Sequence, residues 1–449
     1  MRLTDDQRAV LDGERGETLA LYMEWLVQWG EVMGARRMVP VDNTHVLLPV
    51  PNRMASGASQ ETLDRYLGDL QMACSERTHP RCTCTVHTLF LTLDELDIPE
   101  NDPVQVQMQR SLEEAAIWAG YLPTYTCAPY LVGNVPVKGE ICAWTESSAV
   151  VYANSILGAR TTRHGTESAN AASLLGIVPE FGVLLDEGRK GTLRIAVTAE
   201  LGCPTDWGAL GYWAGKRAGL GIPVFEGVRR PTQEEAKQLC AALASSGGVT
   251  MCHIVGVTPE APSLEAAFQG AAGRGAVPRV AATFDGRALA ETIASLSEHT
   301  GSEIDTVILG CPHASLREIA QVAALLEGKR VADGVSLWVS TARGTQRNAA
   351  YLGYVATIEA AGGRVLCDTC PTNMRIPARR IVMPGFKQAH YARGMTSVER
   401  LGSGGHAGCA PGDPAAYAKR DPGASTEVIV ADTPDCIRAA IEGRWMGDG

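Results

Sequence analysis

The chain has 449 residues, 45% of them hydrophobic and 20% charged, which is long enough for two or three domains that each bury a core. Its 40 Lys and Arg against 50 Asp and Glu give a formal net charge of −10, which excludes a general nucleic-acid-binding surface. No charged-then-apolar N-terminal signal is present, and no apolar run reaches the roughly 18 residues of a membrane span, so we expect a cytoplasmic protein.

The N-terminal part of the chain predicts helices and one Pro-flanked loop. Thr4 is a candidate helix cap, and two helices with apolar positions at helical spacing follow it up to Gly34. Residues 111–120 predict a further helix, which leads into the loop that carries Cys127. The small-residue-rich segment 146–157 predicts a helix whose first turn holds polar side chains.

A charged, Gly-containing break at 187–191 precedes a second unit. This unit contains the strand Leu193–Val197, a Gly-spaced helix at 208–220 and a strand at 249–257. A strand-helix-strand pattern that ends at Ile308 predicts a third unit of the same kind. The sequence therefore predicts an α/β fold with mostly parallel sheets. The predicted domains span 1–187, 188–290 and 291–449.

Three cysteines stand in loops or at the ends of predicted strands. Cys127 lies in the Pro-flanked loop, Cys311 follows the apolar run 304–309, and Cys370 follows the run 364–366. Because open α/β sheets place ligands at the carboxyl ends of their strands, we expect these thiols to converge. Three converging thiolates predict an iron–sulfur site, and the alternative is three unrelated buried thiols.

Other cysteines leave two alternatives open. Cys367 forms a C-x-x-C with Cys370, which could be a redox pair or a spare ligand. A denser group near the N-terminus could bind zinc, although no second well-spaced pair accompanies it. Its members are Cys74, His79, Cys82, Cys84 and His87. The thirteen cysteines of this long chain favour reduced thiols over a disulfide framework.

The segment 139–163 combines a carboxylate with hydroxyl, amide and guanidinium groups, which are the groups that hold small anions. Arg160 and Arg163 could clamp a carboxylate or phosphate with two hydrogen bonds, or they could form a solvated helix end. Glu146 could transfer a proton, or it could be a helix N-terminal residue favoured by the dipole. The candidate substrate-binding residues of this segment are Ser147, Ser148, Asn154, Ser155, Arg160, Thr161 and Arg163.

A lysine and three histidines elsewhere are further candidates. Lys387 could bind a substrate anion or stabilise developing negative charge, and the alternative is a surface lysine. His253 and His313 flank strand ends, where each is either a site residue or a structural histidine. We take Glu146, Lys387 and His253 as the candidate catalytic side chains. His45 is a candidate for substrate binding and specificity.

Five contiguous motifs give the chain a family resemblance. In chain order they are TCAPY, ESSAVVYANSILGARTTR, HIVGVTPEA, GCPHAS and CDTCP. From Leu3 to Arg444 the sequence resembles the large subunit of the aconitase X family, in the aconitase superfamily of iron–sulfur hydro-lyases. The resemblance implies an aconitase-like arrangement of α/β domains around a central cluster site, with Cys127, Cys311 and Cys370 as metal ligands.

The resemblance also implies a chemistry and a partner. Three thiolates would leave one iron open as a Lewis acid, so the implied activity is a hydro-lyase acting on a small hydroxylated carboxylic or phosphorylated acid. The cluster could be 2Fe-2S, 3Fe-4S or 4Fe-4S, or a mononuclear iron. An isomerase that works by dehydration and rehydration, and a noncatalytic iron–sulfur protein, are the alternatives. A separate small swivelling-domain subunit is implied as the partner.

The chain departs from the family pattern in two places. Before TCAPY the family carries a Gly/His-rich substrate segment and a V-P-T-T-L-N-like stretch, where this chain has NTHVLLPVPNRMASG and RCTCTVHTLFL. The serine-containing turn that precedes the family's lysine is here MPGFK, which keeps Lys387 and loses the serine. We therefore expect a rebuilt first-domain half of the substrate pocket.

Overall fold

Three parallel β-sheets, spaced along the chain, organise the protein. The structure is a computed structural model that describes residues 1–48, 79–89, 103–269, 276–297, 299–371, 380–393 and 426–447. Its strands are β1 Met38–Pro40, β2 Asn43–Val46, β3 Thr83–Val86, β4 Cys142–Trp144, β5 Ile177–Pro179, β6 Leu193–Val197, β7 Pro223–Glu226, β8 His253–Ile254, β9 Ala282–Phe284, β10 Thr306–Leu309, β11 Ser336–Thr341, β12 Gly363–Cys367, β13 Arg380–Met383 and β14 Glu427–Val430.

Helices connect and cover these strands. The α-helices are α1 Asp5–Leu11, α2 Glu17–Val32, α3 Pro103–Trp118, α4 Ser147–Tyr152, α5 Thr166–Leu175, α6 Pro204–Ala218, α7 Gln233–Ser246, α8 Leu264–Gln269, α9 Gly286–Leu296, α10 Leu316–Leu326, α11 Arg343–Tyr351, α12 Tyr354–Ala360, α13 Phe386–Arg393 and α14 Thr433–Glu442. Among the described residues, no helix combines the length and apolarity that crossing a bilayer requires.

The three parallel sheets share one winding order. The strand orders are β3-β2-β4, β8-β7-β6-β9 and β12-β11-β10-β13-β14, and β1 and β5 form a separate antiparallel pair. In each parallel sheet the chain starts at an inner strand, moves to one edge, and then returns to the other side of the first strand. Such a reversal opens a crevice outside the carboxyl ends of the two strands beside it, where α/β proteins bind ligands. The predicted α/β fold with mostly parallel sheets is confirmed.

Capping residues explain where several helices begin. Thr4 caps α1 as predicted, because its hydroxyl accepts from Gln7 N while Gln7 Oε1 accepts from Thr4 N. Ser315 and Glu318 form the same reciprocal cap at α10, four residues after Cys311. Each such cap is worth about 1 kcal/mol and fixes the direction in which the chain enters the helix.

Glycine spacing explains the packing of α6 on α7. A Cβ atom at Gly211 would lie 2.4 Å from the carbonyl oxygen of Leu239, and one at Gly215 would lie 2.2 Å from Ser246 Oγ. Only glycine permits this approach of the two helix backbones. The predicted Gly-spaced helix therefore has a packing role, and it places α7 against the rest of the protein.

Some predicted elements differ in extent from the observed ones. The helix predicted at 111–120 is the C-terminal part of α3, which begins at Pro103 because proline is tolerated in a first helical turn. The strand predicted at 249–257 was wrong in length, since only His253–Ile254 pairs with β7. It stops there because Ile254 N donates to Thr258 Oγ1, 3.1 Å away, and closes a turn.

The predicted domain limits of 1–187, 188–290 and 291–449 stay our proposal. One parallel sheet falls within each of them, and the limit at 290 lies inside α9. The largest buried cluster nevertheless takes side chains from all three, including Trp144, Trp207 and Phe386. The hydrophobic core is therefore continuous across the proposed limits.

Candidate active site

The carboxyl ends of the first and third parallel sheets meet at one place. His87 directly follows β3 and Glu146 follows β4, while Cys311 follows β10 and Lys387 follows β13. The order of the third sheet reverses between β10 and β13, and the order of the first reverses at β2. The meeting point therefore combines two ligand-binding crevices of the kind that such reversals create.

Glu146 is the centre of the polar contacts at this site. Its Oε1 accepts from Lys387 Nζ, from the backbone N–H of Ser148 at 2.9 Å and from the Ser148 hydroxyl at 2.7 Å. Its Oε2 lies 2.7 Å from His87 Nε2. The carboxylate also caps the N-terminus of α4, which favours negative charge there. Donors from three separate parts of the chain thus hold one buried carboxylate.

Glu146 and Lys387 form a buried ion pair. Burial opposes the ionisation of Glu146, but the ammonium of Lys387 and the hydrogen bond from His87 outweigh it and hold the pKa of Glu146 well below its ordinary value. Burial likewise lowers the pKa of Lys387, and the Glu146 carboxylate raises it above its ordinary value. Both groups are therefore charged at neutral pH, although both are buried.

Two histidines line the first-sheet side of the site. A carboxylate only accepts, so His87 Nε2 carries the proton that it shares with Glu146, and the Thr88 hydroxyl lies 3.0 Å from Nδ1. His45 lies in β2 with its ring centroid 5.7 Å from that of His87. Burial and the neighbouring His87 lower the pKa of His45 to about 3, so its ring is neutral.

The three predicted thiol ligands are brought together beside the ion pair. Burial raises the pKa of Cys127 to about 12, with further contributions from the charges of Glu146 and Cys370. Burial also raises the pKa of Cys311 well above its ordinary value, against the opposing charge of Lys387, and Cys370 and Cys127 act on it in the same direction as burial. Each thiol is thus within electrostatic reach of the other two, and Cys127 and Cys311 are also within reach of Lys387.

The side chains present fit an iron–sulfur cluster. All three cysteines are free thiols, and Cys127 and Cys311 are each only 6% exposed. Three thiolates around a cluster carry net negative charge, which the neighbouring Lys387 ammonium would offset in a buried setting. Within the described ranges, no three His, Cys, Asp or Glu side chains are grouped as ligands of a single metal ion.

The other cysteines have separate surroundings. Cys367 Sγ donates to Asp368 Oδ2 at 3.3 Å. Its role as a redox partner or spare ligand stays a prediction. In the proposed zinc group, Cys84 is buried in a hydrophobic core, His79 Nδ1 bonds the carbonyl oxygen of Ala119, and His87 bonds Glu146. Cys82 donates to Thr44, and Cys74 lies outside the described residues. The described members of that group therefore do not converge.

Several predicted substrate-binding residues instead support the backbone nearby. Asn154 donates to the carbonyl oxygens of Thr161 and Thr250 at 2.8 and 2.9 Å and accepts from Thr161 N. Ser155 Oγ accepts from Cys252 N, and Arg163 donates to the carbonyl oxygen of Ala244. Ser147 Oγ lies 3.4 Å from Glu146 Oε1, which places it at the site with Ser148.

Arg160 and His253 line a different cavity, of about 310 Å³. Arg160 pairs with Asp186, and His253 Nε2 donates to the carbonyl oxygen of Arg189 at 2.7 Å. Neither Glu146, Lys387 nor the three thiols belong to the described lining of this cavity. Arg160 and His253 therefore lie apart from the ion pair and the thiols, and their predicted roles stay predictions.

The fold and site define a class of protein. It is an α/β protein with parallel sheets that meet at a buried carboxylate–ammonium pair beside three thiols, an arrangement suited to a metal-assisted elimination. Family models described as the first, second and third domains of aconitase X match residues 1–187, 191–293 and 304–403. The chain belongs to the aconitase X family, and it is a hydro-lyase of that type.

Named relatives and a solved structure agree with this assignment. The chain is 37% identical to the phosphomevalonate dehydratase large subunit of Methanothermobacter thermautotrophicus, over 88% of this chain and 94% of the relative. It is 33% identical to the cis-3-hydroxy-L-proline dehydratase of Pseudomonas aeruginosa, over 91% of this chain and 69% of the relative. The holo-form crystal structure of Thermococcus kodakaraensis aconitase X matches with a TM-score of 0.74 and 31% identity, covering 88% of this chain and 95% of that one. Aconitase-like proteins generally bind an iron–sulfur cluster.

Proposed function

We propose that this chain is the cluster-binding large subunit of a dehydratase that removes water from a small hydroxylated carboxylic or phosphorylated acid. The Glu146–Lys387 pair beside two buried thiols, Cys127 and Cys311, and the half-buried Cys370 is the observation that carries the proposal. Cluster binding alone would not require this ion pair, because neither side chain is a cluster ligand. The proposal is further supported by relatives that are named as dehydratases of phosphomevalonate and of cis-3-hydroxy-L-proline.

In the proposed reaction, Lys387 both binds substrate and controls the basicity of Glu146. Five donors surround the Glu146 carboxylate in the described state, so it is a weak base. When an anionic substrate draws the Lys387 ammonium toward its carboxylate or phosphate, Glu146 loses its strongest stabilising charge and its pKa rises. The carboxylate then becomes basic enough to take the proton adjacent to the substrate carboxylate.

His87 and Ser148 keep Glu146 in place during this exchange. Their donors approach different oxygens of the carboxylate, at 2.7 Å from His87 Nε2 to Oε2 and 2.7 Å from Ser148 Oγ to Oε1. Two directional hydrogen bonds hold the carboxylate plane while Lys387 moves. The sequence assigned Ser148 to substrate binding, and its contact with Glu146 supports a role in positioning that residue as well.

Cys127, Cys311 and Cys370 would hold the cluster. A cluster with three thiolate ligands supplies a Lewis acid for the departing hydroxyl group. Burial keeps Cys127 and Cys311 protonated at neutral pH, so cluster assembly must displace thiol protons.

We also propose a separate small subunit as the partner. A relative that this chain covers over 94% of its length is named a large subunit. The site supports this proposal. It contains the proposed base Glu146 and the proposed anion-binding Lys387, but the MPGFK turn lacks the serine that family members carry before that lysine. We propose the cytoplasm as the compartment, since the cysteines of the described ranges are free thiols.

The test is reconstitution of the chain with iron and sulfide under anaerobic conditions, followed by assay with an aconitase X small subunit. Phosphomevalonate and cis-3-hydroxy-L-proline are the first substrates, and mass spectrometry reads the loss of one water. Dehydration of either acid, or of a related hydroxy acid, by the wild type but not by Glu146→Gln supports the proposal. Reversible formation of a positional isomer of the hydroxy acid would show an isomerase, and a loaded complex inert toward all of them would show a noncatalytic iron–sulfur protein.

A further inference from the structure

One side chain, His313, links the segments that carry all three thiols. It lies two residues after Cys311 on the loop that follows β10. Its Nδ1 lies 3.0 Å from the hydroxyl of Thr126, the residue before Cys127. Its Nε2 lies 2.9 Å from the carbonyl oxygen of Thr369, the residue before Cys370. Three segments that are far apart in sequence therefore meet on one imidazole ring.

The partners define the direction of both hydrogen bonds. A carbonyl oxygen only accepts, so His313 Nε2 carries the proton and donates to Thr369. In the neutral ring Nδ1 is then an acceptor and receives the Thr126 hydroxyl proton. The same hydroxyl oxygen accepts from Ala128 N at 3.1 Å, which holds the turn that presents Cys127. A neutral imidazole satisfies both ends with one rigid ring.

The backbone of His313 is held as well. Its N–H donates to Cys127 Sγ at 3.2 Å. Lys237 on α7 donates to its carbonyl oxygen at 2.9 Å and to that of Pro312 at 3.3 Å. Lys237 and His313 are each only 1% exposed, and Lys237 also pairs with Glu318 on α10. The loop that carries Cys311 is therefore anchored in the core.

We propose that His313 is a positioning residue that holds Cys127, Cys311 and Cys370 together, so that the cluster binds to a preassembled set of thiols. The identity of the bound group rests on the proposed function above, while the assembly of the thiols does not. Residues that orient metal ligands through hydrogen bonds typically change metal affinity by about 10–100-fold when they are removed. We expect an effect of that size on cluster retention.

Three variants separate the two side-chain contacts. His313→Ala removes both of them and retains the backbone bond to Cys127. The amide of His313→Gln reaches the position of Nε2 and can donate to Thr369, whereas the amide of His313→Asn reaches only the position of Nδ1 and can accept from Thr126. After anaerobic reconstitution, we expect iron loss to a chelator to be about 10–100-fold faster in His313→Ala, with both amide variants in between.

His164→Ala is the matched control. His164 is also a buried histidine, 5% exposed, but it packs edge-on against Trp29 with ring centroids 5.0 Å apart and contacts none of the three thiol segments. We expect it to lower the melting temperature about as much as His313→Ala while leaving the rate of iron loss unchanged. Equal iron loss from His313→Ala and wild type, or equally fast loss from both alanine variants, would overturn the inference.

The apo chain gives a readout that does not depend on the proposed function. If the wild type binds no iron, the cluster proposal fails, and alkylation of the three thiols followed by peptide mass spectrometry decides the inference. We expect Cys127 and Cys370 to be alkylated at least about tenfold faster in His313→Ala than in wild type, because the segments separate. Alkylation at equal rates in the two proteins would overturn it.

Discussion

We propose that the chemistry of the site depends on one buried pair of opposite charges, Glu146 and Lys387. Removing water from both members of a buried ion pair costs several kcal/mol per ion, which the mutual attraction only partly returns. Glu146 and Lys387 are both at most 9% exposed, so burying this pair lowers the free energy of unfolding. A pair of this kind is expected where a charged base and a charged anion-binding group are needed within one small site.

Glu146→Gln tests the role of the carboxylate. Because glutamine cannot take the substrate proton, we expect kcat to fall by about 10²–10⁴-fold while iron and sulfide per chain stay unchanged. Glu140→Gln is the control, since its carboxylate accepts from Val137 N at the surface. Steady-state kinetics of the reconstituted complex and metal analysis of the same samples give the result. A kcat near that of wild type would show that another group takes the proton.

At the residue scale, the sequence predicted part of the site and missed part of it. Cys311 and Cys370 could be found because each follows a predicted strand, and Glu146 because it opens a predicted helix. Cys127 was indicated by its Pro-flanked loop, and Lys387 by the resemblance of MPGFK to the family's turn. His87 also follows a strand, but its neighbouring cysteines suggested zinc instead. Lys237 gave no signal, because a lysine in the helical sequence QEEAKQL is usually solvated, and only the packing of α6, α7 and α10 buries it.

At the scale of elements, α7 supports the loop that carries Cys311. Lys237 on that helix donates to two carbonyl oxygens of the loop and pairs with Glu318. Removing this buried cation takes the side-chain donor from two carbonyl oxygens and leaves Glu318 Oε2 with the Ser315 N–H. Gln238 on the same helix also donates to the carbonyl oxygen of Cys311, 73 residues further along the chain. The helix and the loop are therefore energetically coupled.

Lys237→Met tests this coupling. We expect the free energy of unfolding of the apo chain to fall by about 3 kcal/mol, because Glu318 and two carbonyl groups lose a buried cation. The control Lys190→Met removes a pair with Glu187 at the surface and should change stability by less than about 0.5 kcal/mol. Urea denaturation of both variants provides the comparison. Equal effects would mean that the loop does not depend on Lys237.

The junction of β13 and β14 gives a pH-dependent contribution to stability. Burial alone would raise the pKa of Glu427, but the hydrogen bonds of Thr300 and the guanidinium of Arg380 lower it to about 2, from an ordinary value of 4.5. A carboxyl group whose folded pKa is depressed stabilises the protein above its unfolded pKa. That stabilisation is lost as the pH falls from 4.5 toward 2.

Glu427→Gln should therefore lower stability by about 1 kcal/mol at pH 7 and by progressively less below pH 4.5. The difference shrinks because wild-type Glu427 becomes protonated and loses its attraction to Arg380. Melting temperatures of the apo proteins at a series of pH values measure it. A difference between wild type and variant that stays constant from pH 7 to about pH 3 would contradict the assigned pKa shift.

At the scale of the whole molecule, the repeated winding order explains the position of the site. Two sheets with the same reversal of strand order carry site residues after their carboxyl ends, and Glu146 of the first sheet contacts Lys387 of the third. The sequence indicated the sheets through apolar runs, and their parallel pairing followed from the alternation with helices. The sequence also predicted that thiols of the first and third domains converge, but the contacts of His87 and Lys387 with Glu146 could not be read from it, because they depend on packing across a continuous core.

A small-subunit partner is the prediction that belongs to this scale. We expect the isolated chain to bind iron and sulfide but to turn over at least about 10²-fold more slowly than the complex, because part of the proton-transfer machinery would be absent. Size-exclusion chromatography with an added aconitase X small subunit, and activity of the resulting fractions, measure it. Full turnover by the isolated chain would contradict the prediction.

We propose that Cys127, Cys311 and Cys370 hold an iron–sulfur cluster beside the Glu146–Lys387 pair, and metal analysis is the direct test of this claim. Iron, acid-labile sulfide, zinc and the visible absorption spectrum are measured after anaerobic purification of wild type, Cys127→Ala, Cys311→Ala and Cys370→Ala, with Cys84→Ala as the buried-thiol control. We predict iron with sulfide in the wild type and the control, and its loss in the three site variants. Zinc or no metal in the wild type, or a cluster that survives all three substitutions, would contradict the claim.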